Sequence, residues 1–253
     1  MMLNMFNLEG KVAIVTGCNT GLGQGMALAL VKAGAKVVGV NRSNPDETAA
    51  LIKEANGEFV NVMADVADSN TPNCVLSEAI NQFGRVDILI NNAGIIRRND
   101  AIDFTEKDWD EVMDVNLKSV FFLSQAFAKQ VIKQGSYGNI VNIASMLSYQ
   151  GGIRVPSYTA SKSGILGLTR LLANEWAKDG INVNAIAPGY MATNNTEALR
   201  NDESRSAEIL GRIPAGRWGE ADDVAGPVVF LSSDASRYVN GYTLAVDGGW
   251  LAR

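Results

Sequence analysis

Seven short runs of apolar and β-branched residues alternate with longer helix-period segments along the whole of this 253-residue chain, and few topologies accept that pattern. The predicted strands are 11–16, 36–41, 58–64, 86–91, 139–145, 181–187 and 242–246; the predicted helices are 22–33, 46–55, 72–83, 106–133, 156–179 and 222–233. Strands so seldom broken by polar residues suit a parallel sheet with helices on both faces. The expectation is therefore one doubly wound, Rossmann-type α/β domain over 1–253, with about seven parallel strands. Only 191–220, polar and without a strand pattern, departs from the alternation. Ligands of such sheets bind outside the carboxyl ends of the strands, so this segment is expected to be a substrate lid.

Composition narrows the chemistry. Apolar residues at 47% and charged residues at 19% fit a soluble globular protein, and a net charge of -5 argues against nucleic acid or an anionic membrane as the main partner. Cys18 and Cys74 lie far apart in no metal-binding spacing, so neither a disulfide framework nor a zinc site is expected, and a reducing cytoplasm is the simplest home. The opening MMLNMFNLEGK lacks the features of a signal peptide, and the longest uncharged stretch, 134–153, is too rich in Gly, Ser, Asn and Gln to span a membrane.

The first predicted strand runs into Gly17-Cys18-Asn19-Thr20-Gly21-Leu22-Gly23 and then a helix. Glycines there let the backbone turn tightly and approach a pyrophosphate, which the free amides of a helix N-terminus favour. The spacing is Gly-x-x-x-Gly-x-Gly rather than Gly-x-Gly-x-x-Gly, so position after the first strand carries the dinucleotide reading. Cys18 reads as a small residue filling that turn. At the end of the second strand an acid would bind ribose hydroxyls, whereas an arginine would attract a 2′-phosphate. Asn41-Arg42 stands there, which leaves both cofactors open and leans to NADP.

With no histidine in the chain, proton transfer near neutral pH needs another group. Tyr158 and Lys162 follow Pro156, which suits the first turn of a helix, and spacing of four puts phenol and ammonium on one helical face. Bringing a phenol from about 10 to neutrality takes about 4 kcal/mol, which one ammonium about 4 Å away can supply at an effective dielectric of about 20. Lys162 is therefore expected to lower the Tyr158 pKa.

Together these residues resemble the short-chain dehydrogenase/reductase family over essentially the whole chain. The likeness runs through Thr16-Gly17-x-x-x-Gly21-Leu22-Gly23, Asp65-Val66, Asn91-Asn92-Ala93-Gly94, Asn116, Ser145, Tyr158-x-x-x-Lys162, Pro188-Gly189 and Asp247-Gly248-Gly249. It implies Tyr158 as general acid/base, Lys162 on the nicotinamide ribose, Ser145 on the reacting oxygen, and Asn116 holding a water between Lys162 and solvent. It also implies cofactor contacts from Gly17, Asn19, Thr20, Gly21, Leu22, Gly23, Asn41, Arg42, Asp65, Val66, Asn92, Ala93, Gly94, Tyr158, Lys162, Pro188, Gly189, Met191 and Thr193. No metal is implied. Taken singly, Ser145 and Asn116 read as a turn residue and a helix-bend residue.

Runs such as Ile95-Ile96-Arg97-Arg98, Gln150 to Tyr158 and Gly248 to Arg253 are similar to members acting on sugar acids of the 2-deoxy-D-gluconate and 2-dehydro-3-deoxy-D-gluconate type. That likeness implies NAD as favoured cofactor with NADP possible, against the lean from Arg42, and a homotetramer. The expected substrate contacts are Ser145, Met146, Gln150, Arg154, Tyr158 and Tyr190. Arg154 is the first choice for holding a carboxylate, through its bidentate guanidinium, ahead of Arg97, Arg98 and Arg217. A 3-oxoacyl carrier-protein reductase is the nearer alternative, and a catalytically silent dinucleotide sensor the more distant one.

Overall fold

The computed structural model describes residues 2–253, with side chains from Asn4 onward. Seven strands form one parallel sheet: β1 (Val12–Thr16), β2 (Lys36–Asn41), β3 (Phe59–Met63), β4 (Ile88–Asn91), β5 (Gly138–Ile143), β6 (Ile181–Pro188) and β7 (Thr243–Val246). Their order is β3-β2-β1-β4-β5-β6-β7, so the winding reverses between β1 and β4 and opens a crevice at their carboxyl ends. Val15 pairs with Gly39 on one side and Ile90 on the other, fixing the register of the three strands that end at this crevice.

Alternation along each strand sends neighbouring side chains into two cores. Ala13, Val15, Ile88 and Ile90 pack beneath α1 (Gly21–Lys32) and α9 (Ala225–Ser232), against Met26, Leu30, Val228 and Leu231. Val12, Ile14 and Leu89 pack on the other face against α3 (Thr71–Phe83), α5 (Ser119–Gln134) and α6 (Pro156–Trp176), through Val75, Phe127 and Leu172. α2 (Asp46–Glu54) buries Thr48 and Ile52 beside the first core. This is the doubly wound architecture expected from the sequence.

Two predicted elements differ in detail. The helix read as continuous over 106–133 is divided into α4 (Glu106–Met113), a π turn at Asp114–Lys118 and α5. The fifth strand ends at Ile143 because Ser145 turns the chain, its Oγ accepting from Leu147 N at 3.1 Å and capping the 3-10 turn Met146–Ser148.

The polar segment after β6 leaves and rejoins the body at one point. Met191 pairs with Gly219, Ala192 N donates to Gly219 O at 2.7 Å, and Gly219 N donates to Tyr190 O at 2.9 Å. The excursion closed by that neck carries α7 (Glu197–Asn201) and α8 (Glu203–Arg212). No helix among the described residues is long and apolar enough to cross a membrane.

Candidate active site

A cleft of about 800 Å³ lies along the carboxyl ends of β1, β2, β4, β5 and β6. It is lined by every residue expected to contact a dinucleotide, from Gly17 through Asp65, Asn92 and Gly94 to Gly189, Met191 and Thr193, and Ser145, Tyr158 and Lys162 stand in its wall. Ser43, Ile95, Val115 and Asn194–Thr196 line it as well. Sequence reasoning gave Ser43 and Val115 no role, and met Ile95 and Asn194–Thr196 only within the runs likened to sugar-acid enzymes and the expected lid. Asn116, Met146, Gln150, Arg154 and Tyr190 lie outside this lining.

The glycine turn has a steric cause. Gly17 and Gly21 have φ of 66° and 58°, and a Cβ on Gly23 would strike the Gly17 carbonyl oxygen. Asn92 braces the turn from β4, its Nδ2 donating to Thr16 O at 2.9 Å and Gly17 O at 3.0 Å. Thr16 Oγ1 accepts from the amides of Asn92 and Ala93, both at 3.0 Å. Thr20, the residue before α1, makes no side-chain cap, so the first amides of α1 remain available as donors toward the cleft.

At the end of β2, Asn41 is buried, and its Nδ2 donates to Asn61 Oδ1 at 2.8 Å and to Cys18 Sγ at 3.4 Å. Its Oδ1 has no partner and belongs to a cleft-lining residue, an acceptor placed to receive a ribose hydroxyl. Arg42 is exposed and 3.8 Å from Asp65. Burial pushes the Cys18 thiol up, which accords with its packing role. An uncapped helix start, a side-chain-free approach and an unpartnered buried acceptor fit a dinucleotide.

Pro156 opens α6, as its position suggested, and brings Tyr158, Ser161 and Lys162 under the cleft. Ser148 Oγ donates to Lys162 O at 2.6 Å and Ser145 N donates to Ser148 Oγ at 3.3 Å, so the Ser145 turn is strapped to the helix that carries the tyrosine. Lys162 Nζ lies 5.7 Å from the Tyr158 ring centre. A Cβ at Gly94 would sit 3.3 Å from Asn116 Oδ1 and 3.7 Å from Lys162 Nζ, so this glycine leaves the two polar groups facing a shared space.

The structure adds detail to three expectations. Burial pushes the Tyr158 phenol up; the neighbouring Ser145 side chain and then the charge of Arg98 oppose that rise. Lys162 Nζ donates to Ile143 O at 2.6 Å, and burial pushes its own pKa down to about 8, which leaves the ammonium charged at neutral pH beside the phenol. Asn116 uses its side chain on the main chain of Ile95, accepting from Ile95 N at 2.8 Å and donating to Ile95 O at 2.9 Å, which holds the loop after β4. Arg154 stands at φ 64° with its Nε 3.0 Å from Asp100, both exposed, and is not among the residues lining the cleft. Arg98, also outside the lining, opposes the rise of the Tyr158 pKa by its charge, and its Nη2 donates to the carbonyl of the cleft-lining Asn195 at 3.0 Å. Arg97 pairs with Glu111 and Arg217 with Asp223. Among the described residues no cluster of metal-ligating side chains is present.

A parallel sheet with a dinucleotide crevice and a Ser-Tyr-Lys group at its wall defines an oxidoreductase that works with a nicotinamide dinucleotide on an alcohol group. Residues 17–251 match the family model described as enoyl-(acyl carrier protein) reductase. The chain is 65% identical to the 2-dehydro-3-deoxy-D-gluconate 5-dehydrogenase of Dickeya dadantii (strain 3937), over 100% of both chains. A solved structure from Agrobacterium tumefaciens, provisionally named as a 2-deoxy-D-gluconate 3-dehydrogenase and holding NADP, is 59% identical with a TM-score of 0.93, over 99% of this chain and 100% of that one. The gluconate 5-dehydrogenase of Burkholderia cenocepacia J2315, in complex with NADP and tartrate, is 38% identical with a TM-score of 0.94 over 100% of both. The chain belongs to the short-chain dehydrogenase/reductase family.

Proposed function

We propose that this enzyme interconverts a secondary alcohol and a ketone on a six-carbon deoxy sugar acid, of the 2-dehydro-3-deoxy-D-gluconate or 2-deoxy-D-gluconate type. The observation that carries the reading is the joining of Ser145, Tyr158 and Lys162 at one wall of the cleft in a chain 65% identical to a 2-dehydro-3-deoxy-D-gluconate 5-dehydrogenase. The bound nicotinamide supplies the hydride donor or acceptor. Ser145 and Tyr158 hydrogen-bond the substrate oxygen, where charge develops as the carbonyl becomes an alkoxide. In reduction the Tyr158 hydroxyl delivers its proton to that oxygen; in oxidation the phenolate takes the proton back. Lys162 supplies positive charge beneath the pair and holds the nicotinamide ribose, and Asn116 holds the loop that carries Gly94.

Arg98 is the residue we assign to the substrate carboxylate. It lies close enough to act on Tyr158, and its present partner, the Asn195 carbonyl, is neutral and readily exchanged for an anion. For the cofactor we propose NADP over NAD, which reverses the weight implied by family likeness. The support is the neutral Asn41, the adjacent Arg42 and the NADP held by two similar proteins. We further propose one domain over 1–253 with the 191–220 excursion as substrate lid, and a homotetramer.

The test is absorbance at the nicotinamide band with each cofactor and a panel of deoxy sugar acids, neutral sugars and 3-oxoacyl thioesters. Turnover of a sugar acid with NADP is expected. Preference for the thioester would replace this reading with the acyl reductase alternative.

A further inference from the structure

The last residues of the chain grip the excursion in a way that the reaction itself does not require. Asp247 fixes the terminal turn by accepting from Gly249 N and Leu251 N, both at 2.9 Å, and that turn presents Trp250 to α8. Trp250 is buried with Ile209 and Ile213 of the excursion and with Met146, the neighbour of Ser145, in a small core separate from the two that flank the sheet. The Arg212 guanidinium, at the end of α8, lies 4.1 Å over the indole, and its Nη2 lies 3.5 Å from Gln150 Oε1. Arg253 Nη2 donates to Gly211 O at 2.9 Å.

Packing alone does not account for an indole here. Trp250 Nε1 is buried without a partner, which phenylalanine would avoid at the expense of a smaller ring in this core. What indole adds is the best aromatic face for a guanidinium. We infer that Trp250 and Arg212 form a clasp between the chain terminus and α8, and that this clasp positions the excursion against the Ser145–Gln150 turn, setting the substrate-binding side of the cleft. They are positioning residues, and the substrate part of this inference rests on the sugar-acid reading given above.

The experiment compares Arg212→Ala and Trp250→Phe with the parent, by limited proteolysis within 193–212 and by steady-state kinetics on a sugar acid and its neutral counterpart. Both variants should be cut faster in that segment, by about the two- to fivefold expected for loss of an exposed cation–π contact. KM should rise by a similar factor for charged and neutral substrates alike, because the competent arrangement is less populated. Trp250→Phe removes packing as well as part of the clasp, whereas Arg212→Ala removes only the cation over the ring, so faster cutting in Arg212→Ala separates the clasp from simple packing. Unchanged proteolysis overturns the inference, and so does a rise in KM confined to the acid, since that would make Arg212 a direct carboxylate contact. If the parent turns over no sugar acid, the functional reading fails, while proteolysis still decides the clasp.

Discussion

On the cofactor side of the cleft, Asn92 and Thr16 join β4 to β1 through four side-chain contacts to main chain, three of them at 3.0 Å and one at 2.9 Å. On the substrate side, Arg97, Arg154 and Arg217 hold loops through partly or largely exposed ion pairs with Glu111, Asp100 and Asp223. Bonds of the first kind are costly to break, because each leaves a buried backbone group unpaired; those of the second kind contribute about 0 to 1 kcal/mol each. The enzyme thus keeps a rigid dinucleotide bed and an adjustable substrate wall. Arg98, which donates to the neutral Asn195 carbonyl, can trade that partner for a substrate carboxylate at less cost still.

The comparison breaks hardest at Tyr158, where the two sides meet. Tyr158→Phe should reduce turnover by about a hundred- to ten-thousandfold while leaving the dissociation constant for NADP close to the parent's, measured by stopped-assay kinetics and fluorescence titration. Retained activity would remove Tyr158 from the reaction.

Lys162 tests the rigid side through pH. Burial holds its folded pKa down to about 8, whereas the unfolded chain releases that proton near about 10.4. Below pH 8 both states are charged and the folded state bears the burial cost in full. Between the two pKa values the unfolded state binds more protons, so this group's contribution to stability improves as pH rises, and above about 10.4 the cost is gone. In the cofactor-free protein, the stability of Lys162→Met relative to the parent should therefore fall as pH rises from 8 toward 10.4, by an amount on the order of 3 kcal/mol. Denaturant titrations across that range measure it; a difference independent of pH would show that Lys162 is not held down by burial.

The adjustable side should give smaller, more selective effects. Arg98→Ala is expected to raise KM for a sugar acid by about ten- to a hundredfold, the worth of one charge-assisted bond, with little change for the neutral sugar. Arg154→Ala should change it by less than about threefold, since its exposed pair with Asp100 is all it loses. The reverse order would restore Arg154 as the carboxylate residue.

Strand placement was legible because buried parallel strands carry continuous β-branched runs, and all seven appear where the pattern put them. The cofactor bed was legible for a related reason: its requirements are backbone requirements, and Gly17, Gly21 and Gly23 announce them in residue type. Arg154 was chosen for its guanidinium, and local sequence could not show that it precedes α6 at a positive φ and pairs with Asp100. Arg98 was undervalued because its relation to Tyr158 spans the fold and leaves no trace in local spacing. The contact of Lys162 with the Ile143 carbonyl had no sequence signal, because it joins α6 to β5 across the fold.

The π turn at Asp114–Lys118 gives Asn116 its place in a particular way. Such a turn amounts to one residue inserted into an α-helix, advancing everything beyond it by a fraction of a turn. α4 and α5 therefore present their buried faces out of phase, and the loop after β4 is met by Asn116 rather than by a neighbour. What is inherited here is chain length as much as side-chain identity. Lineages of this enzyme could exchange many residues along α4 and α5 without disturbing the meeting, whereas loss of a single codon between them would reset the phase and carry Asn116 away from Ile95 with every amino acid still of its original kind.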